Sequence, residues 1–415
     1  MTFHLSSAVR LTVVLLLAGL VVSLAFLARI YAPAGGGLDV GGYQIGRDFI
    51  NPWAAPQIAF SGHADTLHDL GGYWKAINTL FGQPIPFHNW SYPPFALLLY
   101  WPLGQAPYFT ALGIWTVGLF GAYALVAGQF AEPRRRLPMA LALAASPGCL
   151  INVASGQNGF LTAALFLGAI LALDRRPVLA GVLIGLLTIK PQLGLVLPLA
   201  LLALGAWRTL ASAAATAMLL VVASVAMFGL DPWRHYLVET GAYQLGLLTV
   251  FRGPYTWMMS SVLSAARTVG LPFATAALVQ ALVSIPVLIT AAVAVRWTRG
   301  PRQRGMILAT ATPLITPYTF NYDLTAVTVL IAWRLIDGDL MRRPGMTMVD
   351  FLIWLAPVLM MPFNILGAPV TPVLLIVLFV SAVTEVAPRP FRRDFRGILG
   401  GGVARFREPQ RSEAQ

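Results

Sequence analysis

About a dozen apolar segments, most of them close to the length that crosses a bilayer, run along this chain, with one long, aromatic-rich polar stretch, Gly35 to Pro94, directly after the first. A chain of 415 residues that is 57% hydrophobic and only 11% charged, with a mean hydropathy of +0.73, cannot clothe itself in a water-compatible surface. Lipid must be its solvent. Inside the hydrocarbon layer every backbone N–H and C=O needs a partner from the chain itself, so runs this long and this apolar can only be helices. The expected class is an all-α polytopic membrane protein.

The first apolar run, Leu11 to Ala28, carries no charge over 18 residues, enough at about 1.5 Å per residue to cross a core of roughly 30 Å. Ala32-Pro33-Ala34 loosely resembles a signal-peptide cleavage site, but signal-peptide apolar regions run to about 7 to 15 residues, so this segment is read as an uncleaved span. Orientation follows from the arginines, because cytoplasmic loops retain Lys and Arg during insertion. All of the 28 basic residues except Arg29, Arg47, Lys75, Lys190, Arg234, Arg252 and Arg267 fall in short loops or in the tail, and these are assigned to the cytoplasm. Twelve spans then lie near 11–29, 107–130, 138–154, 158–173, 177–189, 192–207, 209–229, 271–296, 306–320, 323–336, 347–366 and 370–387, with both termini inside. The pairs around Lys190 and Tyr318 are short enough to be broken or re-entrant helices.

On this reading residues 1–388 form one membrane domain, and 389–415 form a basic, partly disordered cytoplasmic tail that rests on anionic lipid. Two segments face outward, 31–106 and 230–270. The first mixes Trp53, Trp74, Trp90, Tyr43, Tyr73 and Tyr92 with apolar residues, the composition of ordered helices at headgroup level. In the second, Trp257, Met258, Val262, Leu263 and Ala266 fall near one stripe of an interfacial helix from Thr256 to Val269, with Arg267 outside the stripe; a surface loop is the alternative.

Several function classes drop out. The single cysteine, Cys149, sits in an apolar run and permits neither a disulfide framework nor a cysteine metal site. The net charge of +12 is scattered among loops rather than gathered on one face, so nucleic acid is not an expected partner. No two of the five histidines have the spacing of a zinc helix, and the one Asp-x-Asp, Asp337-Gly338-Asp339, falls on the cytoplasmic side, so no metal and no cofactor are expected.

Ionisable residues near the outer face carry the remaining information, since charge beside a bilayer core is costly. Asp48, in Arg47-Asp48-Phe49, is the leading candidate for a general base that takes the proton from a sugar hydroxyl; capping the next segment or pairing with Arg47 is the alternative. Lys190, in Thr188-Ile189-Lys190-Pro191-Gln192, either holds a lipid phosphate or snorkels to the headgroups. Ser155-Gly156-Gln157-Asn158-Gly159 is a polar hairpin whose glycines suit a tight turn, while Gln157 and Asn158 offer amides to sugar hydroxyls. Tyr92, in Trp90-Ser91-Tyr92-Pro93-Pro94-Phe95, is either a platform for a sugar or an interface anchor. Asp323, after Tyr322 in a late polar break, is a hydroxyl acceptor, a partner for Lys190 or Arg252, or a helix cap. Arg252 and Arg234 could grip phosphate bidentately, though solvated charges are the ordinary case.

Taken in order, Asp48-Phe49 with Trp53, Ala55, Ala59, Gly62 and Leu67, then Tyr92-Pro93-Pro94-Phe95 with Pro102-Leu103, Gly156-Gln157-Asn158 and Ile189-Lys190-Pro191-Gln192 resemble glycosyltransferase family 87 between about Tyr43 and Asp323. The resemblance implies a membrane enzyme of the C-type glycosyltransferase fold facing the periplasm or cell exterior, to which the apolar runs add about twelve transmembrane helices and the outer segments interfacial helices. It implies a polyprenyl-phosphate mannose donor, Asp48 as general base, inversion at the anomeric carbon and no required metal. One segment departs from the family pattern: where many members have a late histidine, this chain has Thr316-Pro317 and then Tyr322-Asp323. The combined expectation is a hexosyltransferase in a bacterial plasma membrane, with Lys190 and Arg252 on the donor phosphate and Gln157, Asn158, Tyr92, Tyr322 and Asp323 around the sugar or a lipid or glycan acceptor. A transporter or flippase of lipid-linked sugars is the competing class, although the polar residues gather on one face and no paired halves are evident.

Overall fold

A computed structural model describes residues 7–337 and 344–388; the expected tail at 389–415, Asp339 of the Asp-x-Asp, and Arg342 and Arg343 lie outside the described residues. The described chain is almost entirely helical, with one two-stranded hairpin, Pro33–Gly35 against Leu38–Asp39. Among the described residues, five helices are long and apolar enough to cross a membrane: Val13–Ile30, Tyr108–Gly128, Trp207–Phe228, Phe273–Trp297 and Met346–Ile365. Their outward residues are apolar too, with Val117 72% and Leu125 73% exposed, as lipid rather than water requires.

A sixth candidate is bent. The expected straight span at 138–154 is two helices, Pro133–Ala144 and Pro147–Ser155, meeting at 54°. Ser146 causes the break: its Oγ accepts from Cys149 N at 3.1 Å as an N-cap, and Pro147 follows in the first helical turn. Shorter apolar helices, Gly159–Ala172, Pro177–Leu187, Pro191–Ala203 and Thr371–Val386, occupy the positions of other expected spans.

Small residues let two helices pack closely. The Pro177–Leu187 helix lies along Trp207–Phe228, and a Cβ added at Gly181 would stand 2.5 Å from Ser212 Cβ, while one at Gly185 would stand 2.5 Å from Thr216 Cβ. Glycines four apart let two backbones approach in lipid, where packing rather than water exclusion drives association. Ser212 Oγ bonds the Val178 carbonyl across this seam at 2.9 Å.

The 31–106 segment has its own core. Phe49, Ile50, Trp90 and Tyr100 pack with Tyr108 and Trp115 from the Tyr108–Gly128 helix. Its Leu70–Phe81 helix begins at Asp69, whose carboxylate accepts from Gly71 N at 3.1 Å, and buries Tyr73 and Ile77, four apart on one face. The 230–270 segment leans on this core through His68, whose Nδ1 meets Thr240 Oγ1 at 2.9 Å.

The single interfacial helix expected over Thr256–Val269 is two short ones, Pro254–Trp257 and Val262–Thr268. Between them the backbone pairs sideways: Ser260 N donates to Thr319 O at 3.0 Å, and Asn321 N donates to Met258 O at 2.8 Å. Arg267 is buried rather than outside the stripe, since its Nη1 donates to the Leu248 and Phe251 carbonyls.

Candidate active site

Asp48 lies in a single turn, Arg47–Phe49, entered through Gly46 at φ 88°. That positive φ favours glycine, and a side chain at this position would meet Leu112 as well. The turn is fixed from the Tyr108–Gly128 helix by Tyr108 Oη, which donates to the Ile45 carbonyl at 2.9 Å. On its other side it touches the 155–159 hairpin: a Cβ at Gly156 would collide with the Gly46 carbonyl oxygen and Phe49 Cβ. This contact brings Gln157 Nε2 to Asp48 Oδ2 at 2.5 Å. Arg47 does not pair with Asp48; it pairs with Asp39 at 2.7 Å. The Gln157 bond is thus the one side-chain hydrogen bond Asp48 makes among the described residues, and its other oxygen is free to accept a proton.

Lys190 ends the helical run before Pro191, whose ring cannot supply an N–H to continue it. Its Nζ lies 2.8 Å from Asp323 Oδ1, with side chains 9% and 1% exposed, and 4.6 Å from the Tyr322 ring centroid. Asp323 Oδ2 accepts from Phe320 N at 3.0 Å, so both of its oxygens are engaged. Of the three roles open to Asp323 the structure shows two, partner of Lys190 and cap of its own turn. Tyr322 stacks on Phe320 at 5.3 Å and 15°. The turn is anchored from below by Asn152, whose Nδ2 donates to Tyr322 O at 3.3 Å and Thr325 Oγ1 at 3.0 Å.

Asp48, Gln157, Lys190, Tyr92 and Tyr322 all line one cavity of about 390 Å³, a size within the range of roughly 300 to 1,000 Å³ usual for small-molecule sites. Asn158 and Asp323 stand one hydrogen bond behind it, Asn158 through Tyr92 Oη at 3.3 Å and Asp323 through Lys190. Arg252 does not join them. It is exposed, and its Nη1 donates at 3.4 Å to the carbonyl of Arg267 near the end of the Val262–Thr268 helix. The two cations expected on the donor phosphate are therefore not brought together: Lys190 lines the cavity and Arg252 does not.

Burial holds the hydroxyls of Tyr92, Tyr255 and Tyr322 above the usual phenol range, and the negative charge of Asp48 adds to it in all three. They stay protonated and able to donate. Asn51 accepts from Tyr73 Oη at 2.8 Å through Oδ1, which turns its NH₂ toward other partners. His88 Nδ1 lies 2.7 Å from the Pro86 carbonyl, an oxygen that can only accept; the neutral ring therefore carries its proton on Nδ1 and offers Nε2 as an acceptor.

His88, Asn89, Ser91, Asn51, Gln244 and Tyr255 line the cavity without having been singled out from sequence. For His88 to Ser91 a signal was present, a polar run directly before Tyr92. Gln244 and Tyr255 had none: they lie in the 230–270 segment, and only the fold brings that segment against the cavity. Among the described residues, no three His, Cys, Asp or Glu side chains cluster as metal ligands.

No curated protein and no solved structure matches this chain. The model of glycosyltransferase family 87 does, over residues 90–317, taking in Tyr92, Gln157, Asn158, Lys190 and Arg252 and leaving Asp48, Tyr322 and Asp323 outside the matched range. With more than half of an apolar helical chain matched, the protein belongs to glycosyltransferase family 87 and is a membrane glycosyltransferase.

Proposed function

We propose that the protein moves a hexose, with mannose as first choice, from a polyprenyl-phosphate donor to a lipid or glycan acceptor at the outer face of a bacterial plasma membrane. The enclosing architecture is a C-type bundle of about twelve spans with the 31–106 and 230–270 segments outside. The observation that carries the chemistry is a half-buried carboxylate and a buried ammonium lining one cavity between phenol and amide groups.

In the proposed reaction Asp48 takes the proton of an acceptor hydroxyl as that oxygen bonds to the anomeric carbon. The bond from the anomeric carbon to the phosphate oxygen breaks, and its electron pair leaves with the polyprenyl phosphate. Attack from the face opposite the leaving group inverts the centre. Lys190 receives the charge that grows on the departing oxygen, an interaction stronger in the transition state than in the ground state and so one that raises the rate. Gln157 orients Asp48, Asp323 fixes Lys190, and Tyr92 and Tyr322 flank the sugar, with Asn158 supporting Tyr92 from behind.

The test supplies purified protein in proteoliposomes with radiolabelled polyprenyl-phosphate mannose and an envelope-lipid extract. Label transferred to a new product in a glycosidic bond supports the reading. Leaflet exchange of the donor without a new glycosidic bond contradicts it.

A further inference from the structure

Arg47, the residue before Asp48, has φ 34° and is the one non-glycine residue with positive φ among the described residues. An L residue avoids this region because its Cβ crowds the backbone, and it persists there only where surrounding contacts over-determine it. Four contacts do so. Nε donates to Asp39 Oδ2 at 2.7 Å, and Nη2 donates to the Ile30 carbonyl at 2.7 Å. The guanidinium lies 4.0 Å from the Tyr31 ring centroid and 4.7 Å from that of Tyr43.

Each anchor is itself held. Asp39 is buried and its Oδ1 accepts from Gly41 N at 2.8 Å and Tyr43 N at 3.1 Å. Ile30 ends the Ser7–Ile30 helix, where carbonyls lack helical partners and the helix dipole is negative, a favourable seat for a cation. The guanidinium therefore ties the end of the first helix and the hairpin turn to the residue that sets the direction of Asp48. It is not a cavity-lining group, so its charge is directed at the protein rather than at a ligand.

We propose that Arg47 is a positioning residue: ion-paired to Asp39 and seated against Tyr31 and Tyr43, it holds a left-handed turn that aims the Asp48 carboxylate into the cavity beside Gln157. Released from these anchors, Arg47 relaxes to negative φ and Asp48 turns with it. The proposal rests on the reading of Asp48 as the base.

The experiment compares wild type, Arg47→Gln, Arg47→Lys and Asp39→Asn in lipid nanodiscs. Hydrogen exchange is followed over residues 44–50, and kcat and KM are measured with polyprenyl-phosphate mannose. Misplacing a reacting group by about 1 Å costs on the order of 100-fold, so Arg47→Gln and Asp39→Asn are expected to lose about that factor in kcat with KM within about threefold. Their exchange rises at 44–50 and not elsewhere. Lysine keeps the charge but lacks the fork that reaches both oxygens, and it restores only part of the rate. Unchanged exchange overturns the proposal, as does raised exchange with wild-type kcat, or a rise in KM alone. If Arg47→Gln fails to fold, Asp39→Asn decides. Wild-type turnover in Asp48→Asn would remove the base assignment, while the exchange measurement would still decide the clamp.

Discussion

Lys190 and Asp323 are the pair whose disruption makes the sharpest quantitative prediction. At 2.8 Å and an effective dielectric of about 20 their gross attraction is about 6 kcal/mol, but removing both charges from water cancels most of it. As a unit the pair adds little to stability. Its halves do not behave the same way. With side chains 9% and 1% exposed, either charge left alone costs about 3 to 5 kcal/mol. Lys190→Met keeps the stem and strands Asp323; Asp323→Asn strands Lys190 while its amide oxygen still accepts from Phe320 N. The double variant strands nothing and gives up mainly the contact of Lys190 with the Tyr322 ring, about 1 to 2 kcal/mol. The two single changes should therefore each harm the fold more than both together, with a coupling of at least about 4 kcal/mol. Because large membrane proteins unfold irreversibly, the assay is the folded fraction surviving a fixed heating pulse in detergent, read by size-exclusion chromatography. The expected order is wild type, double variant, then the single variants. A double variant as unstable as the sum of the single losses would refute the argument.

Other expectations follow from the same geometry. Burial first and His235 second push the His68 imidazole down from 6.5 to about 4, so the folded state resists a proton that the unfolded chain accepts. Stability from this group is full above pH 6.5 and declines by up to about 3 kcal/mol as pH falls toward 4; heating curves at pH 5 and 7.5 should diverge in wild type and converge in His68→Gln. Gly156→Ala places a methyl against the Gly46 carbonyl at a positive φ and should cost about 2 kcal/mol or more together with transfer activity, so a stable, active variant would contradict the packing described. His88→Phe keeps a ring beside Tyr43 but offers no acceptor nitrogen, and kcat/KM for transfer should fall about tenfold; an unchanged value would exclude His88 from substrate binding.

How much of this was legible in sequence depended on whether a signal was local. The apolar runs sit where helices form, because hydropathy over some twenty residues is a property of the segment alone. Lys190 stood out because a charge between two apolar runs is costly enough to need a reason, and Asp48 because it is a carboxylate on an outer segment beside the first span. The bend at Ser146-Pro147 was written in two residues yet hidden inside an apolar run. Arg252 and Arg267 show the limit: both were arginines in a polar segment, and only the fold determines that one is exposed and the other buried on carbonyls. Asp323 carried three possible roles from sequence, and it took the position of Lys190, 133 residues away, to select among them. The Arg47 clamp was unreadable for the same reason, since its anchors come from a helix end, a hairpin and two aromatic rings.

The proposed transfer divides labour between a carboxylate that moves a proton and an ammonium that receives a phosphate. Its most direct measurement is binding and single-turnover transfer of radiolabelled polyprenyl-phosphate mannose by Asp48→Asn in nanodiscs. The account predicts donor binding within about threefold of wild type and transfer slowed by at least about 100-fold, the lower end of what a general base supplies. Transfer at the wild-type rate by Asp48→Asn would contradict it.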